Sequence, residues 1–163
     1  MTHLLPMLSV CVLALAACSD GPESYDDDLT DRQVPARGTK DVLDWIERGF
    51  YLDWACEEAP HPARPGSGHS ANRICSNAAL AGFDGAGSFP LGAAAVKEIF
   101  ADDGEIKQYA VYRKVTAAAG GDSWYWFEGA SGGGDVVANG EGDETCTGCH
   151  AGAPQDFVWT VVR

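Results

Sequence analysis

Apolar and polar positions divide the chain into segments of different period. Residues 7–17 are apolar but for Ser9, too short a run to cross a bilayer, and lead into "LAAC". Residues 19–38, "SDGPESYDDDLTDRQVPARG", combine acids, Pro and Gly with almost nothing to bury, and read as a disordered tether. From Thr39 the period becomes helical: Val42, Leu43 and Ile46 share a stripe, with Thr39 as N-cap, Asp41 in the first turn and Gly49 as a stop. "GFYLDWACEE" extends that helix by a turn or two, and "APHPARPGSGHS" (59–70) is a Pro/Gly loop. "ANRICSNAAL" is open between strand and helix. Three extended runs follow, at 93–100, 106–115 and 123–128, separated by the short turns "ADDGE" and "TAAAGGD". In the third run Trp124 and Trp126 take one face and Tyr125 and Phe127 the other, so both faces are expected to be covered. A last strand is expected in "DFVWTVVR". The expected class is α+β: a mostly antiparallel sheet, a meander, with one or two N-terminal helices and a functional segment near the C-terminus.

The leader changes the picture first. "LAAC" followed by Ser19 resembles a bacterial lipobox, although the n-region lacks Lys and Arg. That resemblance implies three parts: 1–17 a lipoprotein signal, 18–38 a tether and 39–163 the folded domain. Lipid on Cys18 then anchors the chain to a membrane in the bacterial periplasm, and a Ser after the cysteine points to the outer membrane. An ordinary signal peptide cut nearby is the alternative. Residues 1–17 hold no Asp, Glu, Lys or Arg, so the exported part keeps the whole net charge of −13. Such a surface repels nucleic acid and anionic lipid headgroups, and solubility explains it without invoking a substrate.

Candidate chemistry lies in "GDETCTGCHAGAPQDF" (142–157). Cys11 and Cys18 belong to the export segment, leaving Cys56, Cys75, Cys146 and Cys149. "CTGCH" has the spacing of a c-type haem attachment site. Cys146 and Cys149 would each add to a porphyrin vinyl group, and His150 would be the proximal iron ligand. An oxidising compartment, the setting implied by an export signal, suits such attachment. A zinc knuckle would want a second close Cys/His pair, a thioredoxin-like site an early strand before its CxxC, and the last alternative is a plain disulfide. The glycine-rich approach "GASGGGDVVANGEGDE" reads either as adaptable backbone following a flat ring or as a mobile surface loop.

The other side of the iron is limited by composition. The only methionines are Met1 and Met7, both in the leader, so a His/Met centre is excluded if the leader is removed. His61 and His69 are the alternative sixth ligands, giving a bis-His electron-transfer site. Otherwise the iron is five-coordinate and open to a small ligand.

The chain resembles the cytochrome P-460 and cytochrome c′-beta family over about residues 51–163. The pieces that carry the resemblance are "NRICSN", "FPLGAAAVKEIF", "YAVYRKV", "DSWYWFE" and "CTGCHAGAPQDFVWT". It implies a mostly antiparallel fold, usually a homodimer, with haem c held by Cys146, Cys149 and His150. It also implies a redox partner protein and an open distal side binding NO, CO or a small nitrogen substrate such as hydroxylamine. In the P-460 branch a lysine bonds to the porphyrin rim and hydroxylamine or NO is oxidised. Lys97 is a candidate for that lysine, against a bland reading as a strand lysine facing solvent. Glu98 and Glu128 are candidates for a proton-accepting carboxylate, or simply decorate the sheet. Cys56 and Cys75 depart from the family's simplest pattern; a disulfide between them suits an oxidising compartment, two buried thiols being the alternative.

Overall fold

In the computed structural model, which describes residues 32, 33 and 35–163, the apolar alternation becomes one six-stranded antiparallel sheet. The order follows the chain: β1 (Ala55–Cys56), β2 (Asn72–Ser76), β3 (Ala94–Phe100), β4 (Ile106–Lys114), β5 (Trp124–Ala130) and β6 (Val136–Glu141). The fold is therefore α+β with a mainly antiparallel sheet. The leader, Cys18 and most of the tether lie outside the described residues.

Each face of the sheet has its own core. α1 (Thr39–Glu47) covers one face, burying Val42, Trp45 and Ile46 against Cys75, Val96, Val111, Tyr125 and Phe127. The chain then tightens into a single 3₁₀ turn, Phe50–Asp53, rather than extending α1, and enters β1. Cys56 and Cys75 face each other across β1 and β2 and are disulfide-bonded. The opposite face packs Ile74, Ala95, Trp124 and Trp126 against Leu80 of α2 (Ala78–Ala81), Phe89 and Val158. Trp124/Trp126 and Tyr125/Phe127 thus divide between the two faces as their alternation requires.

Four segments differ from the sequence reading. "ANRICSNAAL" is both strand and helix, β2 then α2, divided at Asn77, whose side-chain carbonyl accepts from the backbone of Leu80 and Ala94. The glycine-rich "GASGGGDVVANGEGDE" contains β6, so it is an edge strand with a turn on either side and not a loop throughout. "DFVWTVVR" is no strand: it makes a turn and then runs irregularly, tied by Val162 N to Ser76 Oγ (3.0 Å) and by the Arg163 guanidinium to Ala81 and Phe83 carbonyls. The described end of the expected tether is bound to the sheet. Pro35 O accepts from Arg113 (2.8 Å), Gln33 O from Asn77 (2.7 Å), and Gly38 N donates to the Tyr125 hydroxyl (2.9 Å). Those backbone groups find fixed partners, and the Pro35 ring is itself fully buried.

Candidate functional site

α3 (Glu144–His150) carries the CTGCH sequence. Asp143 caps it, accepting from Thr145 N at 3.0 Å, and Glu144 sits in the first turn, where the helix dipole favours an acid. The helix was missed at sequence level because seven residues show too little periodicity; "DETC" was its one local sign. Helical spacing puts Cys146 and Cys149 one turn apart, on the same side as His150. Both thiols are free, Cys146 half-buried and Cys149 exposed.

His150 is held from three directions. Trp126 meets its ring edge-on at 4.8 Å between centroids and Tyr112 at 6.1 Å. Its Nδ1 lies 2.7 Å from Phe157 O. A carbonyl can only accept, so Nδ1 carries the proton and the Nε2 lone pair is left uncommitted. Burial keeps the ring's pKa below the ordinary histidine value, with Lys97 and Arg64 acting in the same direction and the Phe157 bond opposing them.

These groups border a solvent-open cavity of about 220 Å³, or about 860 Å³ of free space with its mouth included. The enclosed 220 Å³ is smaller than an ordinary ligand pocket of ~300–1,000 Å³, and the rest of the space is open to solvent. Its floor is a row across the sheet: Lys97 on β3 pairs with Ala110 on β4, which pairs with Glu128 on β5. Side chains alternate, so these three share one face, and the small Ala110 leaves the lysine and the glutamate about 10 Å apart at two strand spacings. Burial lowers the Lys97 pKa, helped by Arg64 and opposed by Glu128, Glu57 and Cys149. It raises that of Glu128, against Lys97 and Lys107. Lys97 is thus half-buried at the cavity, where a solvent-facing strand lysine had been the bland expectation.

Glu98 takes no part. One residue on, it faces the α1 side at 2% exposure, accepting from Tyr51 (2.7 Å) and bidentately from Arg73 (2.6 and 2.8 Å). The two histidines also separate. Both ring nitrogens of His61 are engaged, Nε2 by Glu57 and Nδ1 by Pro62 O. His69 lines the cavity with its Nδ1 buried and unpaired, 3.7 Å from Glu128 Oε2. Burial pushes its pKa down to about 4, with Lys97, His150 and Arg64 adding to the effect. Arg64, which also lines the cavity and stacks on Trp159 at 3.8 Å, was not foreseen: the Pro/Gly loop that carries it has no period to read. Tyr112 could have been, from alternation along β4.

The geometry weighs on the competing readings of the CxxC. A redox-active dithiol wants an accessible first cysteine with a depressed pKa. Cys146 is the reverse: burial, then Asp143 and Glu128, pushes it up to about 12. Among the described residues no group of three or more His, Cys, Asp or Glu is assembled to hold a bare metal ion. What α3 offers instead is two free thiols and one imidazole nitrogen, beside a hollow that opens to solvent. Comparison of the chain with known protein families, with curated proteins and with solved structures finds no match.

Proposed function

We propose that the chain is an exported, lipid-anchored monohaem c-type cytochrome with an open distal position. Cys146 and Cys149 hold the haem, and His150 Nε2 is its proximal ligand. The observation that carries this reading is the Nδ1–H···O bond from His150 to Phe157, which presents Nε2 as a ligand one residue from a pair of thiols. The haem, when bound, supplies an iron that binds NO, CO or a small nitrogen substrate. Trp126 and Tyr112 fix the imidazole plane, and the half-buried Lys97 and Glu128 place one amine and one carboxylate at the cavity. The Cys56–Cys75 disulfide supports an oxidising compartment such as the periplasm, with Cys18 as the anchor and a redox protein as partner.

A haem stain after denaturing electrophoresis tests the attachment. Colour is expected in the exported protein and lost on Cys146→Ala with Cys149→Ala. The ferrous spectrum is then expected to be high-spin and to change on adding CO. A colourless protein, or a low-spin spectrum indifferent to CO, would overturn the reading.

A second reading, a hydroxylamine- or NO-oxidising enzyme of P-460 type, is favoured by one observation: Lys97 and Glu128 lie on the same cavity as the CxxCH. There Glu128 would accept substrate protons and Lys97 would bond to the porphyrin rim. A strongly red-shifted ferrous Soret band, with a mass change that Lys97→Arg abolishes, is its signature. Wild type without either removes it.

A further inference from the structure

The carbonyl that receives the His150 proton belongs to an unusual turn. Asp156 (φ 39°) and Phe157 (φ 67°) are consecutive non-glycine residues in the left-handed region. They are the central pair of a tight turn closed by Val158 N to Gln155 O at 2.7 Å. Positive φ at both centres is the pattern of type I′ turns, which ordinarily take Asn-Gly. A phenylalanine there is strained and persists only if its surroundings fix it.

Those surroundings are specific. Asp156 Oδ2 accepts from Lys114 Nζ at 2.7 Å and from Phe89 N at 2.8 Å. The Lys114 and Asp156 side chains are 0% and 3% exposed. Lys114 Nζ also donates to Ser123 Oγ (2.6 Å) and sits over the Trp124 ring. The Phe157 ring lies against Gly121, where a Cβ would come within 3.1 Å of it. A buried ion pair from the end of β4 is thus built onto the residue that immediately precedes the carbonyl bonded to His150.

The geometry points to Lys114 and Asp156 as positioning residues for the proximal ligand. Their ion pair clamps residues 155–158 so that Phe157 O fixes the tautomer and orientation of His150, and with them its donor strength toward iron. This rests on the haem reading above and adds to it two residues that touch neither iron nor cavity.

The test is a double variant, Lys114→Met with Asp156→Asn, which removes both charges and strands neither in the core. In the ferrous haem protein the Fe–His stretching band is expected to move down by several wavenumbers and broaden, and the reduction potential to rise. Adding Phe157→Gly, which gives the turn its preferred Asn-Gly pair, should restore both without restoring the clamp. A double variant that keeps its haem and an unchanged band would overturn the inference, and so would a folded triple variant that leaves the band displaced. If the double variant does not fold, the triple variant decides alone. Its folding with a wild-type band supports the clamp, and its failure to fold reduces Lys114–Asp156 to a purely structural pair.

Should the wild type prove free of covalent haem, the function reading falls separately. The ¹⁵N resonances of His150 in that haem-free chain then carry the test. A single Nδ1–H tautomer in wild type and a mixture in the double variant are expected; identical tautomers overturn it.

Discussion

Two neighbouring residues of β3 meet opposite surroundings on the two faces of the sheet. Glu98 points to the α1 face, where Arg73 and Tyr51 satisfy it. Lys97 points to the α3 face, where its neighbours across the sheet are Ala110 and, one strand further, Glu128, with no ion pair formed between lysine and glutamate. On the first face polar groups bond one another and the space is filled by Trp45, Val96, Val111 and Phe127. On the second the His69 Nδ1 is unpaired, Cys146 and Cys149 are free, and the space is left open. Burying polar groups without partners costs stability, and around the cavity that cost is borne locally, because further along the same face Lys114 and Asp156 satisfy each other.

That contrast makes the same kind of substitution act differently on the two faces. Arg73→Met would leave the Glu98 carboxylate buried with only the Tyr51 hydroxyl, at a cost of ~3–5 kcal/mol. Lys97→Met, between Ile74 and the small Ala110 at the edge of the hollow, removes a charge that burial already disfavours, and should change stability by less than about 1 kcal/mol. Urea midpoints of both variants measure the difference. Equal losses would erase the distinction between the faces.

The disulfide tests the closed face in another way. Cys56 and Cys75 enclose 19 residues of separation, and closing a loop of that size stabilises by about 3 kcal/mol in the chain-entropy account. Cys56→Ala with Cys75→Ala should lower the unfolding free energy by that amount. Because the pair packs on the α1 side, the optical spectrum of the haem proposed above should stay as it is. A spectral change would show that the two faces communicate through β2 and β3.

How much of this was legible depends on the length of each element and on where its residues find partners. β3, β4 and β5 were readable because seven to nine apolar-rich residues between short glycine-containing turns form extended runs. Alternation along β5 placed the tryptophans. β6 was hidden by its glycines and by being an edge strand: with Val136 and Val137 exposed it has no second face to bury. The strand expected in "DFVWTVVR" failed because its partners are a serine hydroxyl and isolated carbonyls, not a neighbouring strand. Within the site, the CxxCH was a local signal of fixed spacing. Arg64 and His69 come to the cavity, and the Phe157 carbonyl to His150, by tertiary packing of loops, and nothing periodic announces them. The choice between Glu98 and Glu128 was decided by alternation plus register, and register is not written in a single strand.

The last expected effect is a dependence on pH, offset in part within the site itself, and it belongs to the open face. His69 has a folded pKa of about 4 against 6.5 unperturbed, because burial and the nearby Lys97, His150 and Arg64 disfavour the imidazolium. Between those values the unfolded chain binds more protons than the fold, so stability falls as pH is lowered through that window, by at most ~1.4 kcal/mol per pH unit. Glu128, 3.7 Å from His69, acts oppositely: its pKa is raised in the fold, so its protonation on acidification is favoured by folding and offsets part of the loss. Urea midpoints of wild type should therefore drop from about pH 6.5 to about pH 4. His69→Gln should flatten the curve, and Glu128→Gln should steepen it. Curves for wild type and His69→Gln that run parallel would mean that the imidazole accepts its proton inside the cavity, and that the open face compensates charge as well as the closed one does.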